Sequence, residues 1–382
     1  MEMNFATTPQ IVLKDGALDM LPDLFAERGV KHVALITDPG LVKAGLVEPV
    51  AQHMREAGLQ VSLFDGVVAD PPTRVVHGAV DQLRAAGVDG VLGLGGGSAM
   101  DVAKLVAYLL RTTEPLEKIY GVDLARGQRL PLILAPTTAG TGSEVTPISI
   151  VTTESDEKRG IVSRRLLPDV ALLDPNLTLG LPAVVTAATG VDAMVHAIEA
   201  YTSKRLKNPL SDVLARQALV LLARNLPIVM KEPRNKAARG EMLLGSCLAG
   251  MAFANAPVAA VHALAYPLGG RYHVPHGLSN ALMLLPVLRF NLQAAAPLYA
   301  ELSTCVGGTE ATAEGFLAAM QRLVAVCDMP KSLQEVGVTR ESLPQLAEDS
   351  MQQTRLLVNN PVEVTQADAL RLYEQAFDLS NA

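Results

Sequence analysis

Cysteine and positive charge are both scarce in this chain. Its three cysteines, Cys247, Cys305 and Cys327, are far apart and odd in number. That excludes a disulfide framework and the close spacings of zinc knuckles, and leaves inert or buried thiols in a reducing compartment. The net charge of −7 lacks the basic field that captures nucleic acid. Charged residues are only 19% of the chain against 49% hydrophobic, which excludes disorder. The opening MEMNFATTPQ has neither the basic nor the apolar region of a secretory leader, so a cytoplasmic location is expected. Repeats and low-complexity stretches are absent. The segment from Met242 to Gly270 contains no Asp, Glu, Lys or Arg and is long enough to span a bilayer. It also carries Ser246, Asn255, Pro257 and His262, and no second spanning segment stands out. It therefore reads as a helix buried on all sides within a helical domain, with no membrane partner.

A length of 382 residues implies two domains. The first part alternates. HVALIT (32–37), QVSLFD (60–65), GVLGLG (90–95) and PLILAPT (131–137) read as strands. Leu41 to Ala57, Val75 to Ala86 and Ala99 to about Leu110 read as the helices between them. This is the pattern of βαβ units in a parallel sheet covered on both faces. Beyond about Leu181 apolar residues recur at three and four positions, over 183–203, 211–225, 236–254, 313–327 and 366–379, which predicts an all-helical second domain. DPNLTLGLP (174–182) is the expected hinge, giving domains 1–181 and 182–382.

Gly93, Gly95, Gly96, Gly97 and Ser98 close the third of these strands and open a helix. Backbone amides at a glycine-rich helix N-terminus suit a pyrophosphate. Ser98 and Asp101 equally fit an S-x-x-D capping box that needs no ligand. Asp38 ends the first of the four strands, where a carboxylate can bind ribose hydroxyls and disfavour a 2′-phosphate; an Asp-Pro-Gly turn is the alternative. The loop Pro136–Glu144 crowds Thr137, Thr138, Thr141 and Ser143 among two glycines after a strand, the usual place of a ligand crevice.

Asp192 and His196 lie four apart and share one helix face. His262 sits inside the uncharged segment and His276 follows a Gly-Gly turn. A carboxylate and three imidazoles can hold a divalent cation and leave a position for substrate. Spacing alone leaves open that each is a separately satisfied core residue, with Glu199 pairing His196 through solvent. His32, His53 and His77 lie away from other ligand types and read as ordinary histidines.

GGGSAMDVAK (95–104), PTTAGTGSEVT (136–146), DPNLTLGLP (174–182), ATGVDAMVHAIEAYTS (188–203), KNPLSD (207–212) and NAPVAAVHALAYPLGGRYHVPHGLSNA (255–281) together resemble the iron-containing alcohol dehydrogenases over nearly the whole chain. The resemblance implies an α/β N-terminal nucleotide-binding domain joined to an all-α C-terminal domain, as in the glycerol dehydrogenase and dehydroquinate synthase group. It implies Fe(II), or zinc in its place, held by Asp192, His196, His262 and His276. It implies NAD bound by Asp38, Gly95, Gly96, Gly97, Ser98, Asp101, Thr137, Thr138, Thr141, Ser143 and Lys158, and a homo-oligomer. The expected reaction moves a hydride between NAD and a small alcohol or hydroxy acid, giving an aldehyde or ketone.

One position departs. Many members carry a second histidine four residues after the third ligand, in an H-A-x-A-H pattern; here that position is Tyr266. A phenol replaces an imidazole that titrates near neutrality, so Tyr266 or His273 is the expected proton relay. Phe253 reads either as pocket lining or as plain core. The departure also raises a hydroxyacid–oxoacid transhydrogenase with tightly held NAD, beside two further rivals: a dehydroquinate synthase-type lyase and a non-catalytic protein on the same scaffold.

Overall fold

The computed structural model describes residues 3–154 and 157–378. Six strands, β1 (Gln10–Leu13), β2 (His32–Ile36), β3 (Gln60–Phe64), β4 (Gly90–Gly95), β6 (Leu132–Pro136) and β9 (Val170–Leu173), form one parallel sheet. A smaller sheet holds β5 (Gly121–Val122), β7 (Ile148–Thr152) and β8 (Lys158–Val162). Because successive side chains point to opposite faces, each central strand feeds two cores. Ala34, Ile36, Val91 and Leu134 face the helices Thr73–Ala86 and Gly97–Leu109. Val33, Leu35, Leu92 and Ile133 face Phe25 and Met54 on the other side. Burial on both faces is why these strands read as apolar runs rather than alternating ones.

The sheet order is β1-β9-β6-β4-β2-β3. The chain builds outward from β2 to β3, then returns to β4 and builds the other way through β6 and β9. The reversal lies between β2 and β4, and in open parallel sheets ligands bind at the carboxyl ends of the strands flanking such a point. Asp38 follows β2 and the glycine cluster closes β4.

From Gly180 onward the chain is a separate compact unit, which also takes in Ala139–Thr141. Its site is carried by Ala183–Thr202, Lys236–Asn255, Ala260–Tyr272 and His276–Asn291, joined by the long helix Pro209–Lys231.

The expected α/β-plus-helical architecture is borne out, with several corrections of detail. HVALIT is the second strand, after β1. The helix expected from Leu41 to Ala57 is two, Pro39–Lys43 and Val47–Glu56, because Gly45 turns left-handed at φ 73° and Pro49 suits only a first turn. β1, β5, β7, β8 and β9 are additional to the expected strands. The last residue of the expected 366–379 helix lies outside the described residues; the helix ends at Phe377. The apolar segment 242–270 is not one helix: Lys236–Asn255 and Ala260–Tyr272 meet at a bend of 104°. Nor is it alone in its apolarity, since Ala183–Thr202 and Pro209–Lys231 are also long and apolar enough to cross a membrane. All four pack into the core of the helical unit.

Gly93 lets the helix Gly97–Leu109 lie flat on β4: a Cβ there would come within 2.6 Å of Leu134 and 2.7 Å of Ala103. Gly93→Ala is expected to lower unfolding stability by about 1–3 kcal/mol through this overpacking. Urea denaturation checks it, a midpoint unchanged from the parent contradicting the stated packing.

Candidate active site

In the parallel-sheet unit, Gly96 caps the helix Gly97–Leu109 with no side-chain hydrogen bond. The S-x-x-D box is therefore not formed. Asp101 turns inward instead: its carboxylate accepts from Ser143 Oγ at 2.6 Å and from the Ile150 amide at 2.9 Å. Beside it Lys104, wholly buried, donates to Ser143 Oγ, Thr146 Oγ1 and the Ile148 carbonyl. Burial pushes its ammonium down to about 8, against the pull of Asp101, and burial pushes the Glu144 carboxyl up to about 7. Asp101 and Ser143 thus tie the glycine helix to the threonine-rich loop and to the small sheet.

The groups left facing the switch point are Asp38, the glycines and Thr138. Asp38 Oδ1 caps the next helix through the Leu41 amide at 3.1 Å, so the turn reading holds for that oxygen. Its other oxygen, Oδ2, lies 3.6 Å from the place a Cβ on Gly95 would occupy. The Thr137 amide donates to the Gly95 carbonyl at 3.0 Å. Thr138 Oγ1 is buried without a hydrogen-bond partner among the described residues, 3.7 Å from the Cβ position of Gly96. An orphaned hydroxyl beside a glycine-capped helix start fits a phosphate-bearing cofactor. Ser98 and Thr141 are half-buried. Lys158, on β8, is ion-paired to Asp70 at 2.7 Å.

The helical unit brings Asp192, His196, His262 and His276 together, with one ligand atom of each within 4.8 Å of the others. Asp192 Oδ1 stands 3.9, 4.0 and 3.9 Å from Nε2 of His196, His262 and His276. The fit to a cation rests on which nitrogens are already engaged. His196 donates its Nδ1–H to the Gly140 carbonyl at 3.2 Å, and His262 donates its Nδ1–H to Glu199 at 2.7 Å. Since those partners only accept, the Nε2 lone pairs of the neutral rings point inward. Burial pushes His196 down to about 4, keeping it neutral and ligand-ready. Asp192 lies below the usual carboxylate range: burial pushes it up, but the three neighbouring imidazoles and the hydrogen bond from Asn280 together outweigh that. A carboxylate and imidazoles without thiolate suit iron(II) or zinc. Three of the four residues are buried, while the His276 side chain is 31% exposed.

Two glycines make the assembly possible. A Cβ on Gly277 would strike the Ala188 carbonyl at 2.7 Å, and one on Gly140 would strike Thr189 at 2.6 Å. Without them neither the His276 helix start nor the Gly140 carbonyl could lie against Ala183–Thr202.

Asn280 escaped the sequence reading, and Glu199 was given another partner. Glu199 binds His262 directly rather than His196 through solvent, and also accepts from the amides of Ala259 and Val261 at 2.9 and 2.7 Å. Asn280 reaches Asp192 at 2.6 Å; its position four residues after His276 repeats the Asp192–His196 interval and was a usable signal. Phe253 stacks on His196 with centroids 4.3 Å apart. Tyr266 lies near His276, ring centroids 6.0 Å apart. His273 is exposed, with left-handed backbone at a helix end, and is not one of the four converging residues. His32, His53 and His77 pair with Ser62, the Asp19 carbonyl and Glu117.

With this geometry in view, comparison with known proteins is informative. A family profile described as "Iron-containing alcohol dehydrogenase" matches residues 8–175, and one described as "Fe-containing alcohol dehydrogenase family, C-terminal" matches residues 186–377. The chain is 42% identical over 371 residues to long-chain-alcohol dehydrogenase 1 of Geobacillus thermodenitrificans, covering 95% of this chain and 93% of the relative. Its fold is similar to the crystal structure of a 1,3-propanediol oxidoreductase, with TM-score 0.95, 35% identity, and 99% and 100% of the two chains covered. It is also similar to sulfoacetaldehyde reductase from Bifidobacterium kashiwanohense in complex with NAD+, with TM-score 0.89, 30% identity, and 98% and 99% covered.

Glu199→Ala would leave the His262 Nδ1–H and two buried amides unpaired, each costing about 1–3 kcal/mol. The expected loss of stability is therefore about 3 kcal/mol or more, read by chemical denaturation. A loss below about 0.5 kcal/mol, the size of an ordinary surface change, would refute the assignment.

Proposed function

Because the chain belongs to the iron-containing alcohol dehydrogenase family, we propose that it transfers a hydride between NAD and a small alcohol, interconverting the alcohol with its aldehyde or ketone. The observation that carries this reading is the convergence of four donor residues, with the outward nitrogens of His196 and His262 already bonded, at a place where the His276 side remains accessible. The domains are taken as 1–181 for the dinucleotide and 182–382 for metal and substrate, in a soluble, cytoplasmic homo-oligomer.

Asp192, His196, His262 and His276 would hold Fe(II), with zinc as the substitute. Bound there, the cation supplies Lewis-acid polarisation of the substrate oxygen, and NAD supplies the hydride acceptor. The chain's own part is to orient and to exclude water. Glu199 and the Gly140 carbonyl fix two imidazoles in the required tautomer. Phe253 and the apolar helix walls keep the ligands dry, which strengthens electrostatic interactions at the reacting atoms. Asp38 would receive the ribose hydroxyls, while Gly95–Ser98 with Thr138 would receive the pyrophosphate. Asp101 and Ser143 hold that cradle in shape, and Thr137, Thr141 and Lys158 complete the cofactor set. Tyr266, beside His276, is assigned the proton next to the substrate, and exposed His273 its exchange with bulk water.

The relatives' names span a long-chain alcohol, 1,3-propanediol and sulfoacetaldehyde and single out no one compound within the proposed class of alcohols and aldehydes, with hydroxy acids included. Tyr266 is the one residue that favours the second reading, a hydroxyacid–oxoacid transhydrogenase. Net NADH formation from a single alcohol separates the dehydrogenase from both the transhydrogenase and the lyase.

His276→Ala is expected to lower bound metal below one per chain and turnover by 100-fold or more, on the order of what loss of a metal's charge stabilisation costs. Metal analysis beside an alcohol–NAD assay checks this, and full occupancy with unchanged turnover would exclude the site. Asp38→Gly is expected to raise NADP use relative to NAD, because the carboxylate that repels a 2′-phosphate is gone. An unchanged ratio of kcat/KM values would leave Asp38 with only its capping role.

A further inference from the structure

Asn280 is wholly buried on the helix that begins at His276. Its amide nitrogen points at the ligand atoms themselves: 2.6 Å from Asp192 Oδ1, 3.2 Å from His276 Nε2 and 3.3 Å from His262 Nε2. Its carbonyl oxygen is buried with no hydrogen-bond partner among the described residues. The orientation is dictated by chemistry. Three acceptors face the amide, and only its NH2 end can meet them; turned over, a carbonyl would confront a carboxylate. The chain thus leaves one acceptor unsatisfied in the wall in order to aim a donor at the cluster.

Such a donor answers a specific difficulty. A carboxylate and two imidazole lone pairs directed at one point, without a counter-charge, repel one another, and burial denies them water. Two N–H hydrogens serving three acceptors relieve that repulsion. Helix geometry makes the contact automatic, since residues four apart share a face, and Gly277 lets that face press against the Asp192 helix.

We propose that Asn280 is a positioning residue that pre-organises the metal-ligand set, its NH2 holding Asp192 and the two imidazoles in ligating geometry before a cation arrives. The proposal rests on the metal-site reading above. When a cation takes the imidazole lone pairs, the bond to Asp192 remains available, because a carboxylate oxygen has a lone pair to spare.

The test uses the whole protein stripped by chelation and titrated with zinc, with calorimetric affinity and melting temperature as readouts. Asn280→Leu, close in size and without a donor, is expected to weaken zinc binding 10–100-fold, the usual effect of losing a ligand's hydrogen-bond partner, and to shrink the zinc-induced rise in melting temperature. Asn280→Ala carries the same expectation should the leucine variant not fold. Asn280→Asp sets a second carboxylate against Asp192; it is expected to melt lower without metal and to show a larger zinc-induced rise than the parent. A role in packing alone would lower the melting temperature equally with and without zinc and leave the affinity unchanged, and that outcome overturns the proposal. Wild-type protein that takes up no zinc would overturn the metal site together with it, whereas unchanged binding in the variants beside a binding parent overturns only the role of Asn280.

Discussion

Four electron-rich atoms within 4.8 Å of one another, most of them deep inside an apolar helical unit, are an unfavourable arrangement that the rest of that unit must enforce. Three of them have identifiable supports. His196 is braced by a loop carbonyl and by the Phe253 ring, His262 by a buried carboxylate, and Asp192 by the Asn280 amide. Glu199 does more than one job, because its two oxygens also satisfy amides at the start of the His262 helix. The bend that ends the preceding helix is thereby fixed by the same side chain that orients a donor ring. Removing a single support exposes the others to forces they were not arranged to bear alone.

The parallel sheet meets a different demand with similar economy. Its reversal between β2 and β4 leaves a carboxylate and a glycine-capped helix start at neighbouring strand ends. A buried lysine then ties that helix to the loop after β6 through Ser143 and Thr146. Such a charge is tolerated because three oxygens surround it, and its depressed pKa shows that burial still outweighs the pull of Asp101 and Glu144.

The residues of this site were legible to different degrees, for physical reasons. Asp192 and His196 announced themselves through helical spacing, and the apolar runs of β2, β4 and β6 through burial on both faces. The distant pair His262 and His276 could be grouped with Asp192 and His196 as candidates, but only the family resemblance decided for one site over separate core residues, since periodicity says nothing about which helices meet. Glu199 was given the wrong partner and Asn280 was missed, because a buried polar residue on an apolar helix looks the same whether it braces a ligand or satisfies a neighbour. The capping box at Ser98 and Asp101 satisfied every local rule and did not form. A tertiary partner, Ser143, outbid the local one, which is the usual way short-range patterns fail. β1 and the small sheet were missed because short strands carry little periodicity.

The burial of the donor set is uneven. Asp192, His196 and His262 are sealed, and His276 alone reaches solvent, from the first turn of its helix, where backbone hydrogen bonding is incomplete. Helix ends fray before their middles. His276 is accordingly the donor that water or a chelator would meet first, with Asp192, His196 and His262 behind it.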